Sequence, residues 1–223
     1  MQLEGHRLFQ AYPFLPKLAE FLMSQPPLSI NPKTSALLLM DFQGFVLDNF
    51  LPPAAATEVV SNASKLLAAS RAAGMMTIHI IVAFRPGYPE ISPRNKLFSY
   101  LKESGLVVPD SDGMKIHESL TPRDSEPVVA KHRIGAFTGT DLERMLRAQG
   151  IETLILAGVT TAGVVLSTAR QAFDLDYDIV VASDGCTDPD VPVHVVLIDK
   201  VLSQHARVMP TAEVERALQP AGR

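Results

Sequence analysis

The sequence predicts an α/β fold, a three-layer αβα sandwich around a six-stranded, mostly parallel sheet. Two observations carry that expectation. Continuous apolar runs, such as Ala36-Leu37-Leu38-Leu39-Met40 and Leu154-Ile155-Leu156-Ala157, read as strands buried on both faces. Segments of helical spacing that stop at glycines lie between such runs. Repeated strand–helix units of this length imply right-handed crossovers and parallel neighbours. At 223 residues the chain suits one good-sized domain and is short for two.

Taken in order, residues 1–33 differ from the rest. They are rich in aromatics and proline (Phe9, Tyr12, Pro13, Phe14, Pro16, Pro26, Pro27, Pro32), with a short helix-like piece at 15–24. They read as an N-terminal arm that packs on its own domain or at a subunit interface. The main domain, 34–223, opens with a strand at 36–40 ending in Asp41. Residues 57–73 have helical spacing, with Val60, Ala63, Leu66 and Leu67 apolar, and stop at Gly74. A second strand covers 75–84, a loop 86–93 and a third, short strand 127–131. A helix at 140–149 precedes Gly150. The fourth strand is 152–157, its following helix 162–173, and the fifth strand 177–183. A helix at 191–205 and a last strand at 207–209 follow. Residues 211–218 read as a closing helix, with Thr211 as N-cap and Glu213 in the first turn, where a carboxylate suits the helix dipole.

Composition narrows the function. Hydrophobic content of 47% and charged content of 20% describe an ordinary globular chain, and a net charge of −4 without a basic stripe argues against nucleic-acid binding. The one cysteine, Cys186, excludes an intrachain disulfide and fits a reducing compartment. No run approaches the about 18 apolar residues of a membrane span. A cytoplasmic protein without membrane or nucleic-acid partners is the expectation.

In an open parallel sheet, ligands bind at the carboxyl ends of the strands. Those ends carry Asp41-Phe42-Gln43, Phe84-Arg85, Lys131-His132-Arg133 and Gly158-Val159-Thr160-Thr161. An acid, a base and a glycine turn therefore converge on one edge. The turn, between a strand and a helix, would present backbone N–H groups to an anion or oxyanion. The positions where a nucleophile would sit hold Ala162, Gly163, Val164 and Val165, none of which can attack a substrate. Arg85 is read as a bidentate carboxylate holder or, equally, as half of a salt bridge with a neighbouring loop. Phe42, Phe84 and Phe137 are pocket walls or plain core. Loop 85–95 has no histidine, and His6, His79, His117, His132, His194 and His205 are scattered, so no metal and no cofactor are expected. His79, inside the second strand, reads as a satisfied core histidine.

At Leu37-Leu38-Leu39-Met40-Asp41-Phe42-Gln43 the chain resembles the isochorismatase-like hydrolases. It does so again at 131–142, at Leu166-Ser167-Thr168-Ala169-Arg170-Gln171-Ala172 and at 181–188. The resemblance covers about residues 34–210, with the motifs in the family's order. It implies a Rossmann-like six-stranded sheet, a small-molecule substrate and a homodimer or homotetramer. In the family's cysteine-hydrolase branch a catalytic aspartate, lysine and cysteine would match Asp41, Lys131 and Val164. A non-proline cis peptide would fall at Val159–Thr160, in a turn that continues through Thr161 and Gly163. The nicotinamidase metal loop is not matched. The isochorismatase branch works without the cysteine, but its aromatic-Ala-His-x-Gly pattern is replaced here by Thr160-Thr161-Ala162-Gly163-Val164. Matching places Cys186 in a loop after the fifth strand, with a structural role.

The resulting expectation is a hydrolase working non-covalently, with Asp41 and Lys131 handling the proton and N–H groups around Thr160 and Val164 holding the oxyanion. Phe42, Gln43, Phe84, Arg85 and Phe137 are the expected substrate contacts. The rival reading is an inactive relative with a binding or assembly role. An open cleft between Asp41, Lys131 and Thr160 favours catalysis, and a filled one favours the rival.

Overall fold

Six strands pair in one all-parallel sheet: β1 (Ser35–Met40), β2 (Met76–Val82), β3 (Val128–Lys131), β4 (Thr153–Val159), β5 (Asp178–Thr187) and β6 (Arg207–Met209). The computed structural model describes residues 30–219, so the helix-like piece at 15–24 and all of the arm before Ile30 lie outside the described residues. The strand order is β3-β2-β1-β4-β5-β6. Every residue of β1 is buried, as its unbroken apolar run requires for a central strand covered on both faces. β3 lies at an edge and alternates, so Val129 and Lys131 are buried while Val128 and Ala130 are exposed. The strand ends stay in register, with Met40 opposite Ile80 and Gly158, and Val82 opposite Lys131. This levels the chemistry-bearing residues along one rim.

Seven helices accompany the sheet among the described residues: α1 (Gly44–Phe50), α2 (Pro53–Ala73), α3 (Lys96–Glu103), α4 (Leu142–Ala148), α5 (Leu166–Asp174), α6 (Val191–Val196) and α7 (Thr211–Leu218). The period of two in β1 and β4 sends Leu37, Leu39, Ile155 and Ala157 to one face, against Val59, Ala63 and Leu66 of α2 and Val214 of α7. Ala36, Leu38, Leu154 and Leu156 face the other way, onto Leu142 and Leu146 of α4 and Ala169 of α5. Three layers result. α2 ends where the sequence marked its end: Gly74 takes φ 64°, and its N–H donates to the carbonyls of Ser70 and Arg71.

Several expectations are corrected. α1 and α3 were not anticipated. The helix expected over 191–205 divides into α6, a π turn at Leu197–Val201 and a 3-10 turn at Leu202–Gln204. The helix expected from Ala162 opens with a π turn at Thr161–Val165 before α5 begins. Thr211 is not an N-cap. Pro210 holds that position, and the Thr211 N–H and hydroxyl both donate to Asp184 Oδ1, at 2.7 and 2.6 Å, tying α7 to β5. β5 runs on to Thr187, so Cys186 lies within a strand, opposite Gly158, rather than in a loop. No described helix is long and apolar enough to cross a membrane.

Candidate active site

The strand order reverses between β1 and β4, which opens a crevice at their carboxyl ends. Asp41 leaves β1 with φ 60°, a left-handed conformation that aspartate adopts more readily than most residues, while its N–H donates to the carbonyl of Ile80 at 2.9 Å. Lys131, at the end of β3, brings its Nζ to 2.9 Å from Asp41 Oδ2 and donates to the Arg133 carbonyl at 3.1 Å. The two side chains are 2% (Lys131) and 8% (Asp41) exposed. Burial pushes Asp41 above the ordinary carboxylate range, and the charge and hydrogen bond of Lys131 pull it back only in part. Oδ2 is engaged. Oδ1 is buried and has no hydrogen-bond partner.

The third component is the turn after β4. The Val159–Thr160 peptide is cis, as the resemblance implied. Thr160 then accepts from the Gly163 N–H through both its carbonyl (3.2 Å) and Oγ1 (3.1 Å), and its carbonyl also accepts from Val165 N–H at 3.3 Å. A Cβ at residue 163 would lie 2.8 Å from Thr160 Oγ1, which explains the glycine there. Two further side chains brace the turn. The buried carboxylate of Asp188 accepts from Ala162 N–H at 2.8 Å, and His194 Nδ1 lies 2.8 Å from Thr161 Oγ1. Neither was singled out from the sequence. The Asp188-Pro189-Asp190 run opening α6 was the available signal, since Asp190 caps that helix through Val193 N–H at 3.1 Å.

These parts line an open cleft with a cavity volume of about 100 Å³, bordered by Asp41, Lys131, Thr160, Gly163 and Val164. Its wall comes from Phe45 and Phe50 of α1, Leu97, Phe98 and Leu101 of α3, and Ile134. The structure thus brings Asp41, Lys131, Val159, Thr160, Gly163 and Val164 together, with Thr161 buried just behind.

The five expected substrate contacts lie elsewhere. After the reversal at Asp41 the chain turns into the core, so Phe42 packs in the cluster beneath α2. The Gln43 amide donates to the carbonyls of Val82 (2.9 Å) and Met114 (2.7 Å) and accepts from Val82 N–H (2.7 Å), fastening the exit of β1 to β2. Phe84 packs edge-on against Phe98 at 5.5 Å, one layer behind the wall. Arg85 is 71% exposed and pairs with Glu90, the salt-bridge alternative. Phe137 stacks on Tyr177 at 6.2 Å in the core of the opposite face.

Two other sequence-marked residues are structural. Cys186 is buried, its thiol donating to the Leu156 carbonyl at 3.8 Å, and burial pushes the thiol up to about 12. His79 is buried in β2 with Nε2 3.3 Å from Glu126, which also takes a bidentate grip from Arg71 at 2.7 and 2.8 Å. Among the described residues, no three His, Cys, Asp or Glu side chains are placed to hold a metal ion.

Comparison with known proteins identifies the family that shares this fold. The isochorismatase domain profile matches residues 35–213. The uncharacterized isochorismatase family protein YecD of Escherichia coli O157:H7 is 35% identical over 191 residues, covering 86% of this chain and all of that protein. The ureidoacrylate amidohydrolase RutB of Klebsiella pneumoniae is 31% identical, covering 71% of this chain and 75% of that protein. The solved structure of an isochorismatase family protein from Burkholderia thailandensis superimposes with a TM-score of 0.73 at 29% identity, covering 85% of this chain and 97% of that one. With the profile matched over most of the chain and relatives at 35 and 31% identity, the chain belongs to the isochorismatase family of hydrolases.

Proposed function

We propose that this hydrolase acts on a small molecule without a covalent intermediate, using Asp41 as proton acceptor for an attacking water. One observation carries the reading: the unpartnered Asp41 Oδ1 is buried at a cleft lined by Val164, the residue that the resemblance matches to the family's cysteine, and no lining residue carries a thiol. Water attacks the carbonyl carbon while its proton passes to Asp41 Oδ1, and the carbonyl electron pair becomes an oxyanion. Ala162 N–H is taken by Asp188 and Gly163 N–H by Thr160, so Thr160 and Val164 N–H are the donors assigned to that oxygen. Collapse of the tetrahedral intermediate expels the leaving group, which takes the proton back from Asp41. Lys131 holds the carboxylate in place throughout. A carboxylate raised by burial is the stronger base near neutral pH. The 31% identity to an amidohydrolase supports a carbonyl–nitrogen bond as the first class to try.

The test is turnover of amides, esters and vinyl ethers by wild type, Asp41→Asn and Val164→Cys. Wild-type activity is expected to fall about 10²-fold or more in Asp41→Asn, with no acyl-enzyme seen by intact-mass measurement. Unchanged turnover in Asp41→Asn overturns the reading. Activity confined to Val164→Cys would instead favour the inactive, binding or assembly alternative.

The same reading takes the chain as a homo-oligomer. What supports it is α6, which buries none of its residues and exposes Val191, Val193, Val195 and Val196 by 65, 38, 48 and 53%. Val191 and Val195, four residues apart, share one side of the helix, and exposed apolar surface of this kind marks interaction surfaces.

A further inference from the structure

The cleft's charge balance restricts what can enter it. Among the described residues Lys131 is the one basic side chain that lines it, and its Nζ is already engaged by Asp41 Oδ2 and the Arg133 carbonyl. The two nearby guanidinium groups are turned to other partners: Arg85 to Glu90, and Arg133 to the carbonyls of His132 and Glu90. Of the buried side-chain atoms without a partner among the described residues, Asp41 Oδ1 is the one in the cleft's lining, an acceptor that repels a second carboxylate. Apart from the turn at Thr160 and Gly163, whose free backbone N–H groups are assigned to the carbonyl oxygen, the remaining lining, from Phe45 and Phe98 to the Val164 side chain, is apolar. An anion placed there would lose its hydration and gain no counter-charge.

Size adds a second restriction. An apolar cavity of about 150 Å³ takes up benzene, and this one is smaller, at about 100 Å³. Leu97 and Ile134 border it and remain 45% and 40% exposed, so the mouth is apolar as well.

We infer that the site takes an uncharged carbonyl compound with a short apolar acyl portion, and that it rejects carboxylate-bearing substrates. This assignment rests on the hydrolase reading above and separates the chain from its relative RutB, whose name specifies a carboxylate, ureidoacrylate. The acyl chain lies against Phe45, Phe98 and Val164. The carbonyl carbon faces Asp41 Oδ1, and the leaving group points to the mouth between Leu97 and Ile134.

Matched pairs test it: butyramide against succinamate, and ethyl butyrate against monoethyl succinate. Each compound is titrated calorimetrically into wild type, Asp41→Asn and Ile134→Arg, and product release is followed separately. The neutral member of each pair is expected to bind wild type at least tenfold more tightly. Ile134→Arg, which adds a cation at the mouth, is expected to narrow that ratio. Equal or tighter binding of the carboxylate member by wild type overturns the assignment, and so does binding of neither member. Neutral binding without turnover upholds the assignment and overturns the hydrolytic mechanism. Asp41-dependent turnover of the carboxylate members does the reverse.

Discussion

Two carboxylates in this protein, the buried Asp41 and the half-buried Glu126, are pushed in opposite directions, and each direction has a measurable consequence. Asp41 is raised because burial outweighs the single cation beside it. Glu126 is lowered from 4.5 to about 2, first by its hydrogen bonds to Arg71 and then by those to the Arg123 N–H and His79. A carboxylate held lower in the folded than in the unfolded chain stabilises fully above the unfolded value and loses that contribution as pH falls through the folded one. Glu126 therefore supports the fold above pH 4.5, and the support drains away between about 4.5 and about 2. In Glu126→Gln the melting temperature is expected to be lower at neutral pH and to fall less steeply over that window than in wild type. Parallel acid limbs for the two proteins would contradict this account. Asp41 and Lys131 were legible in the sequence because a charge ending an apolar strand has few places to go. Phe45 and Phe98 were not, since an aromatic in a short helix reads as core until the helix is placed against the sheet.

At the level of elements, the site depends on how closely β1 and β4 approach. A Cβ on Gly158 would lie 2.9 Å from both the Cβ and the carbonyl oxygen of Met40 on the neighbouring strand. Neither atom can move without displacing β1. Gly158→Ala is expected to destabilise by about 1–3 kcal/mol through overpacking, read as a lower denaturant midpoint, and an unchanged midpoint would disprove the close approach. β1 and β4 themselves were plain in the sequence, because an uninterrupted apolar run has one good solution in a parallel sheet. The π turn at Thr161–Val165 was not. It arises from Thr160, Asp188 and His194 gripping it from inside and from across the fold, whereas periodicity registers only neighbours three or four residues away. The expected helix over 191–205 failed for a related reason: its apolar spacing persists while the backbone changes from α to π to 3-10.

For the whole molecule, the parallel sheet followed from the strand–helix alternation, but the strand order did not. Order depends on which distant strands pair, and nothing local in 128–131 announces that β3 lies beyond β2. The assembly reading belongs at this scale too. Replacing Val191 and Val195 together by Lys is expected to lower the mass measured by light scattering to that of a single chain. An unchanged mass, with the fold intact by circular dichroism, would remove α6 from any interface. Charge behaves differently at the surface and in the interior of this molecule. Dissolved ions reach the exposed Lys115–Asp112 bridge and weaken it, its side chains being 72 and 95% exposed. They screen Asp41 and Lys131, at 8 and 2%, much less. Ionic strength is thus a control that tunes the exterior and weakens the Asp41–Lys131 pair far less, so the proposed chemistry is expected to change little between dilute buffer and brine.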